Sequence, residues 1–120
     1  MEEIGIETSL VEAIISGEKT VEVRLGKPRF LRIQSGDDIH IREDHYENDV
    51  IAYSLHEATK IHIEQVLYFE TFDELFSAVN YESITPKAKS KGEALKTCRK
   101  FYSKQDEKEY GVVALFFSLV

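Results

Sequence analysis

The chain has a single cysteine, Cys98, no tryptophan, and no apolar run that approaches a membrane span. One cysteine excludes an internal disulfide and points to a reducing, cytoplasmic setting. A spanning helix needs roughly 20 consecutive apolar residues, so no membrane association is expected. The start, with Glu2 and Glu3, lacks the basic opening and apolar stretch of a signal peptide. No Cys/His pair has zinc-finger spacing, and His40, His45, His56 and His62 are scattered. Neither a metal site nor a cofactor is read from the sequence. Repeats, low-complexity tracts and linkers are also missing, so the 120 residues are expected to form one domain, 1–120. Nothing in the sequence indicates an oligomeric state.

What is present is a 42% apolar fraction with 7 phenylalanines and 6 tyrosines, enough for a real core. The net charge of −7 argues against indiscriminate nucleic-acid binding. Its distribution is uneven. Arg24, Lys27, Arg29 and Arg32 form a window with no acid, and the window Lys87–Lys104 holds seven cations against Glu93 alone. Two basic segments therefore sit on an acidic body.

Three capping boxes announce helices, in which a hydroxyl and a glutamate three residues on serve free backbone N–H groups. They are Ser9-x-x-Glu12, with the helix running to Ser16 and Gly17 as its C-terminal cap, Thr71-x-x-Glu74 and Ser90-x-x-Glu93. The last places Ala94, Cys98 and Phe101 on one stripe, with Leu95 and Tyr102 beside it. A helical turn is expected near Tyr81–Ile84. Strands are expected at Thr20–Arg24, Asp38–Arg42, Val50–Ala58, Lys60–Phe69 and Tyr110–Leu119, with Asp44–Asp49 as a hairpin loop. The last strand is apolar on both faces and should be central, between a barrel interior and helices. The elements do not alternate as βαβ units. They predict an α+β fold, a small, mostly antiparallel barrel of about five strands with peripheral helices.

The densest chemistry lies at Ser16-Gly17-Glu18-Lys19-Thr20-Val21-Glu22-Val23-Arg24, where a helix gives way to a strand. Period-two alternation turns Val21, Val23 and Leu25 to one face and Thr20, Glu22 and Arg24 to the other. The first set suits a core, the second a cleft. Together with Gly36-Asp37, Phe101-Tyr102-Ser103 and Glu109-Tyr110-Gly111-Val112-Val113-Ala114, this segment resembles the ASCH domain, the activating-signal-cointegrator homology branch of the PUA-like superfamily. The resemblance implies a β-barrel with peripheral helices, a cleft lined by the Gly17–Thr20 segment, and RNA or a nucleoside derivative as partner. Some relatives of this kind are enzymes. One branch removes the acetyl group from N4-acetylcytidine, and its catalytic lysine maps onto Lys19. A catalytic threonine stands three residues later in that branch, where this chain has Glu22. Glu93 is the candidate for its helical glutamate, and ribonuclease activity is the other enzymatic alternative.

The candidate catalytic residues are thus Lys19 and Glu22. The candidate ligand-binding residues are Lys19, Glu22, Arg24, Lys27, Arg29, Arg99 and Tyr102, with the cations meeting phosphates and Tyr102 a base. Each has a plainer explanation. Lys19 follows a helix C-terminus, where a cation is favourable, and Glu22 with Arg24 makes a strand-surface ion pair. Glu93 serves its capping box. Gly36-Asp37 is a turn, and Tyr102 and Cys98 fit an apolar stripe. The leading expectation is a binding module for RNA or a modified nucleoside.

Overall fold

The computed structural model describes residues 2–120. In chain order the elements are β1 (Glu3–Glu7), α1 (Thr8–Ser16), β2 (Val21–Leu25), α2 (Pro28–Leu31), β3 (Asp38–Glu47) and β4 (Val50–Phe69). There follow α3 (Phe72–Ala78), α4 (Tyr81–Ile84), α5 (Lys91–Phe101), α6 (Lys104–Tyr110) and β5 (Val112–Leu119). The strands form one sheet in the order β1-β3-β4-β5-β2. Only the β1–β3 pairing is parallel; the other three are antiparallel. The fold is α+β, a half-barrel flanked by helices, as expected.

Strand β5 is central, lying between β4 and β2. Its alternate residues serve two cores. Val113, Leu115 and Phe117 join Ile4, Ile6, Ile39, Ile41, Ile61 and Ile63 inside the half-barrel, closed by Val11 and Ile14 of α1. Val112 and Ala114 join Val21, Val23 and Leu25 against Phe72, Leu75 and Phe76 of α3 and Ala94 of α5. Burying each large aliphatic side chain contributes about 1.5–3 kcal/mol, so both faces of this strand are needed.

The edge strands β1 and β2 are joined by arginine side chains rather than by a ladder. Arg24 of β2 donates to the Gly5 carbonyl at 2.8 Å, and Arg29 of α2 donates to the Glu3 carbonyl. Carbonyls two residues apart point the same way along a strand, so two guanidinium groups cap the open side of β1.

Several local expectations need correction. Helix α1 begins at Thr8, and its cap is Glu7, whose carboxylate accepts from the Ser9 amide. A cap hydroxyl at Ser9 is displaced because β1 runs directly into the helix. The hydroxyl half of the expected capping boxes forms at Thr71 and Ser90, which accept from the Glu74 and Glu93 amides, whereas the Glu74 carboxylate accepts from the Glu70 amide instead of Thr71. Gly17 caps α1 in the left-handed conformation at φ 86°, which favours glycine. Strand β4 is continuous across Thr59, because the chain bulges around Glu57 (φ 55°) instead of stopping. The loop expected at Asp44–Asp49 shrinks to Asn48-Asp49, both at positive φ as a two-residue hairpin turn requires. β5 starts at Val112, because the chain before it forms α6. Helices α2 and α6 and strand β1 carry too short or too polar a pattern to register in the sequence. The last turn of α5 also differs: Phe101 is 74% exposed, not buried on the Ala94 stripe.

Candidate functional site

Strand β2 carries the floor of a cleft. Pairing sets Glu22 opposite Leu115 and Arg24 opposite Val113, so both ionic side chains share the face of residues inside the half-barrel. Lys19, just before the strand, is folded in from the loop after α1. Its Nζ donates to the Val21 carbonyl at 2.7 Å and the Ile84 carbonyl at 2.6 Å, and lies 3.1 Å from Glu22 Oε1. These three acceptors match the three N–H bonds of an ammonium, and Lys19 is only 1% exposed. It is as much a strut between β2 and α4 as a member of the cleft.

Glu22 is held between two cations. Its Oε1 accepts from the Val23 amide at 3.2 Å as well as facing Lys19, and its Oε2 accepts from Arg24 Nη2 at 2.9 Å. Burial opposes its charge, but the Lys19 ammonium and the Arg24 guanidinium outweigh that opposition and hold the carboxyl down at about 2. Burial likewise works against the charge of Arg24, yet the Glu22 carboxylate keeps its pKa raised. Arg24 Nε and Nη1 have no hydrogen-bond acceptor among the described residues.

The cleft above this floor has a volume of about 420 Å³. Ala94, Thr97, Cys98 and Phe101 of α5 line it, with Tyr102 after the helix, Gly5 of β1, Leu10 of α1 and Tyr46 of β3. Phe101 and Tyr46 are exposed aromatic rings at its rim. Gly5 lies at its wall, where a Cβ would run into the Arg42 guanidinium and the Asp44 carboxylate. Arg42 and Ser54 hold that carboxylate in place at 2.7 Å each. Burial pushes the Cys98 thiol up to about 11, so it stays protonated and unreactive at neutral pH.

A second chamber of about 340 Å³ adjoins the first, sharing Arg24 and Tyr102 and adding Leu25, Lys27, Arg29 and Phe30. Lys27 and Arg29 are exposed. Arg29 lies 3.6 Å from Glu2 and its guanidinium sits over the Phe30 ring, while the Lys27 ammonium sits over Tyr110. Tyr102 stacks on Phe72 at 5.3 Å between ring centres. Burial raises its pKa.

Of the sequence candidates, Lys19, Glu22, Arg24, Lys27, Arg29 and Tyr102 therefore line two connected chambers. Arg99 does not. It bonds Glu107 at 2.8 Å and lies 3.3 Å from Asp73, with its guanidinium over Phe72. Glu107 also accepts from the Phe72 amide at 2.8 Å. Arg99 thus ties α5 to α6 and α3. Glu93 gives its amide to the Ser90 cap of α5 and is not among the residues lining either chamber. Sequence reading missed Phe101 and Tyr46 as cleft residues. Phe101 ends a helix that outruns the layer beneath it, and Tyr46 lies in what read as a loop.

The sequence of the whole chain agrees with this architecture. The model of the ASCH domain family matches residues 4–120. The chain belongs to the ASCH domain family. Among solved structures, this ASCH chain is similar to the crystal structure of hypothetical protein PH0355, with 28% identity over 100% of both chains and a TM-score of 0.83. It is also similar to the solution structure of protein PF0455 from Pyrococcus furiosus, with 26% identity over 99% of this chain and 96% of that one and a TM-score of 0.75. Among curated proteins none matches it. No helix of this ASCH domain, among the described residues, is long and apolar enough to cross a membrane. Nor do three or more His, Cys, Asp or Glu residues among them group as metal ligands.

Proposed function

We infer that this ASCH domain binds RNA or a modified nucleoside in the paired chambers. The observation that carries the reading is the floor of the first chamber. Glu22 is ionised at neutral pH, and Oε2 has one acceptor position left of the roughly four that a carboxylate offers. Beside it, Arg24 presents unused donors. An acceptor next to a donor matches the edge of a nucleobase, which offers an amino group beside a ring nitrogen or carbonyl. Phe101 and Tyr46 supply faces on which a base stacks, worth about 1–3 kcal/mol per base. Lys27 and Arg29 in the adjoining chamber suit a phosphate.

Two features favour binding over turnover. The Lys19 ammonium is taken up by the Val21 and Ile84 carbonyls and by Glu22 Oε1, so none of its N–H bonds is left to point at a substrate. Glu22, ionised, has no proton to donate at neutral pH.

The test is to titrate the protein with a short single-stranded RNA at several salt concentrations, and to incubate it with that RNA and with N4-acetylcytidine before chromatography. Binding that weakens as salt rises, with both compounds recovered intact, is the expected result. Release of cytidine or cleaved RNA, lost in a Glu22→Gln variant that stays folded, would replace this reading with a hydrolase. Affinity that stays flat with salt would remove Lys27 and Arg29 from the phosphate role.

A further inference from the structure

Helix α5 and its flanks carry two kinds of cation. Arg99 is spent on the fold, against Glu107 and Asp73. The lysines are not. Lys87, Lys89, Lys91, Lys96, Lys100 and Lys104 are all exposed. No carboxylate among the described residues lies within ion-pair distance of any of them. Glu93, the one acid of this segment, stands three residues before Lys96, a helix spacing that permits pairing, yet stays apart from it. A chain of net charge −7 thus leaves its densest run of lysines without counter-charges.

Two of these lysines border the cleft. Thr97 and Phe101, one turn apart on α5, line it. With about 3.6 residues per turn, Lys96 and Lys100 form the next stripe of the same helix, on its solvent side. Lys104 follows past the helix end, at the start of α6. Like charges four residues apart on a helix oppose each other, a cost that a polyanion relieves. The rim at Tyr46 has the reverse sign. Tyr46 belongs to the hairpin of β3 and β4, where Glu43 to Thr59 holds five acids and no lysine or arginine. An anionic strand at the cleft is therefore drawn to α5 and turned away from the hairpin. The Debye length at physiological salt is about 8 Å, so the lysines beneath a strand act on it more strongly than the net charge of the whole chain.

We propose that Lys96 and Lys100, continued by Lys104, are a track for the phosphates of a single-stranded RNA whose held base lies in the cleft. The ligand class is then a strand rather than a free nucleoside. This rests on the base-binding role inferred for the cleft and adds the path by which the rest of the strand leaves it. Lysine suits such a track, because a point charge on a flexible stem follows a phosphate backbone without reading its sequence. Selection of the base stays with Glu22 and Arg24 in the cleft, and dependence on strand length comes from the helix.

Calorimetric titration of the whole chain with cytidine monophosphate and with a mixed-sequence RNA decanucleotide, each at several salt concentrations, tests this. The decanucleotide is expected to bind at least tenfold more tightly. In Lys96→Gln/Lys100→Gln that advantage shrinks, and the slope of log affinity against log salt falls by about 1.4, since each single-strand phosphate contact contributes about 0.7. Affinity for cytidine monophosphate stays unchanged in the same variant, and so does thermal unfolding, because both lysines are exposed. Lys60→Gln, which removes a cation from β4, alters neither ligand. A decanucleotide slope unchanged in the double variant, with cytidine monophosphate still bound, overturns the track and spares the cleft. Failure of both ligands to bind overturns the cleft and the track with it. An equal loss in Lys60→Gln overturns the track in favour of net charge. Vesicles of phosphatidylcholine and phosphatidylserine that bind through the same lysines, where the decanucleotide does not, make the ridge a membrane surface and overturn it too.

Discussion

Arg24 on β2 donates to the Gly5 carbonyl on β1 at 2.8 Å, and the same nitrogen donates to Glu22 at 2.9 Å. One guanidinium therefore joins the two edges of the sheet and orients the carboxylate on the cleft floor. The remaining nitrogens of Arg24 stay available at the point where the two chambers meet. Closure of the half-barrel and shape of the site depend on the same side chain.

Lys19 is expected to be structural before it is anything else. Lys19→Met leaves the Val21 and Ile84 carbonyls without their donor and removes one of the two cations beside Glu22. Breaking a buried pair from one side costs about 3–5 kcal/mol, a large fraction of the roughly 5–15 kcal/mol that holds a domain together. Urea unfolding measures this. A loss under about 1 kcal/mol would show that the ammonium is not the strut described.

The acid limb of the stability curve should carry the signature of Glu22. Its carboxyl is depressed in the folded protein, so the stability it contributes is present above its ordinary value of 4.5 and disappears as pH falls toward about 2. In that window the unfolded chain binds the proton that the folded one refuses, and the slope per proton approaches about 1.4 kcal/mol per pH unit. Glu22→Gln flattens this limb and lowers stability at pH 7, where Lys19 and Arg24 then face each other without a counter-charge. Unfolding free energies measured from pH 2 to 7 on both proteins check the sign. Parallel acid limbs would contradict it.

Phe101 and Tyr46 separate binding from folding. Both rings are exposed, so Phe101→Ala and Tyr46→Ala are expected to change stability by less than about 0.5 kcal/mol. If the rings stack on a base, each variant loses about 1–3 kcal/mol of affinity for single-stranded RNA. Fluorescence anisotropy and thermal unfolding of the same samples give both numbers. Unchanged affinity in both variants would remove the aromatic rim from the site.

Arg99 should behave in the opposite way. It satisfies buried Glu107, and hydrogen bonds to charged groups contribute about 1.5–3 kcal/mol. Arg99→Met is expected to destabilise the fold by about 2 kcal/mol and to leave affinity per folded molecule unchanged. A selective loss of RNA affinity would return Arg99 to the ligand surface.

The parity of β2 was legible from its residues, because alternation along a strand leaves two choices and only one buries Val21, Val23 and Leu25. The caps at Thr71 and Ser90 were legible because capping is local chemistry among four residues, and the two-sided burial of β5 because all its positions are apolar. The burial of Lys19 was not. It needs the Ile84 carbonyl, sixty-five residues away, brought against the start of β2. Nor could the sequence send Arg99 to Glu107 or lift Phe101 off its helical stripe. Both outcomes depend on where α5 ends relative to α6 and the sheet.

Composition, alternation and capping, then, determined by themselves an α+β domain with an ionic strand face at Glu22 and Arg24, and the motifs around Gly17–Thr20 and Tyr110–Ala114 carried its likeness to the ASCH family. Those signals act over a few residues and survive in any fold that forms the same elements. Only the tertiary structure decided that Arg24 bridges β2 to β1, that Lys19 is sealed beneath the cleft, and that the first half of β4 runs past the end of β5. Each of these is fixed by the juxtaposition of elements far apart in the chain, where the balance of burial, charge and hydrogen bonding is settled by geometry.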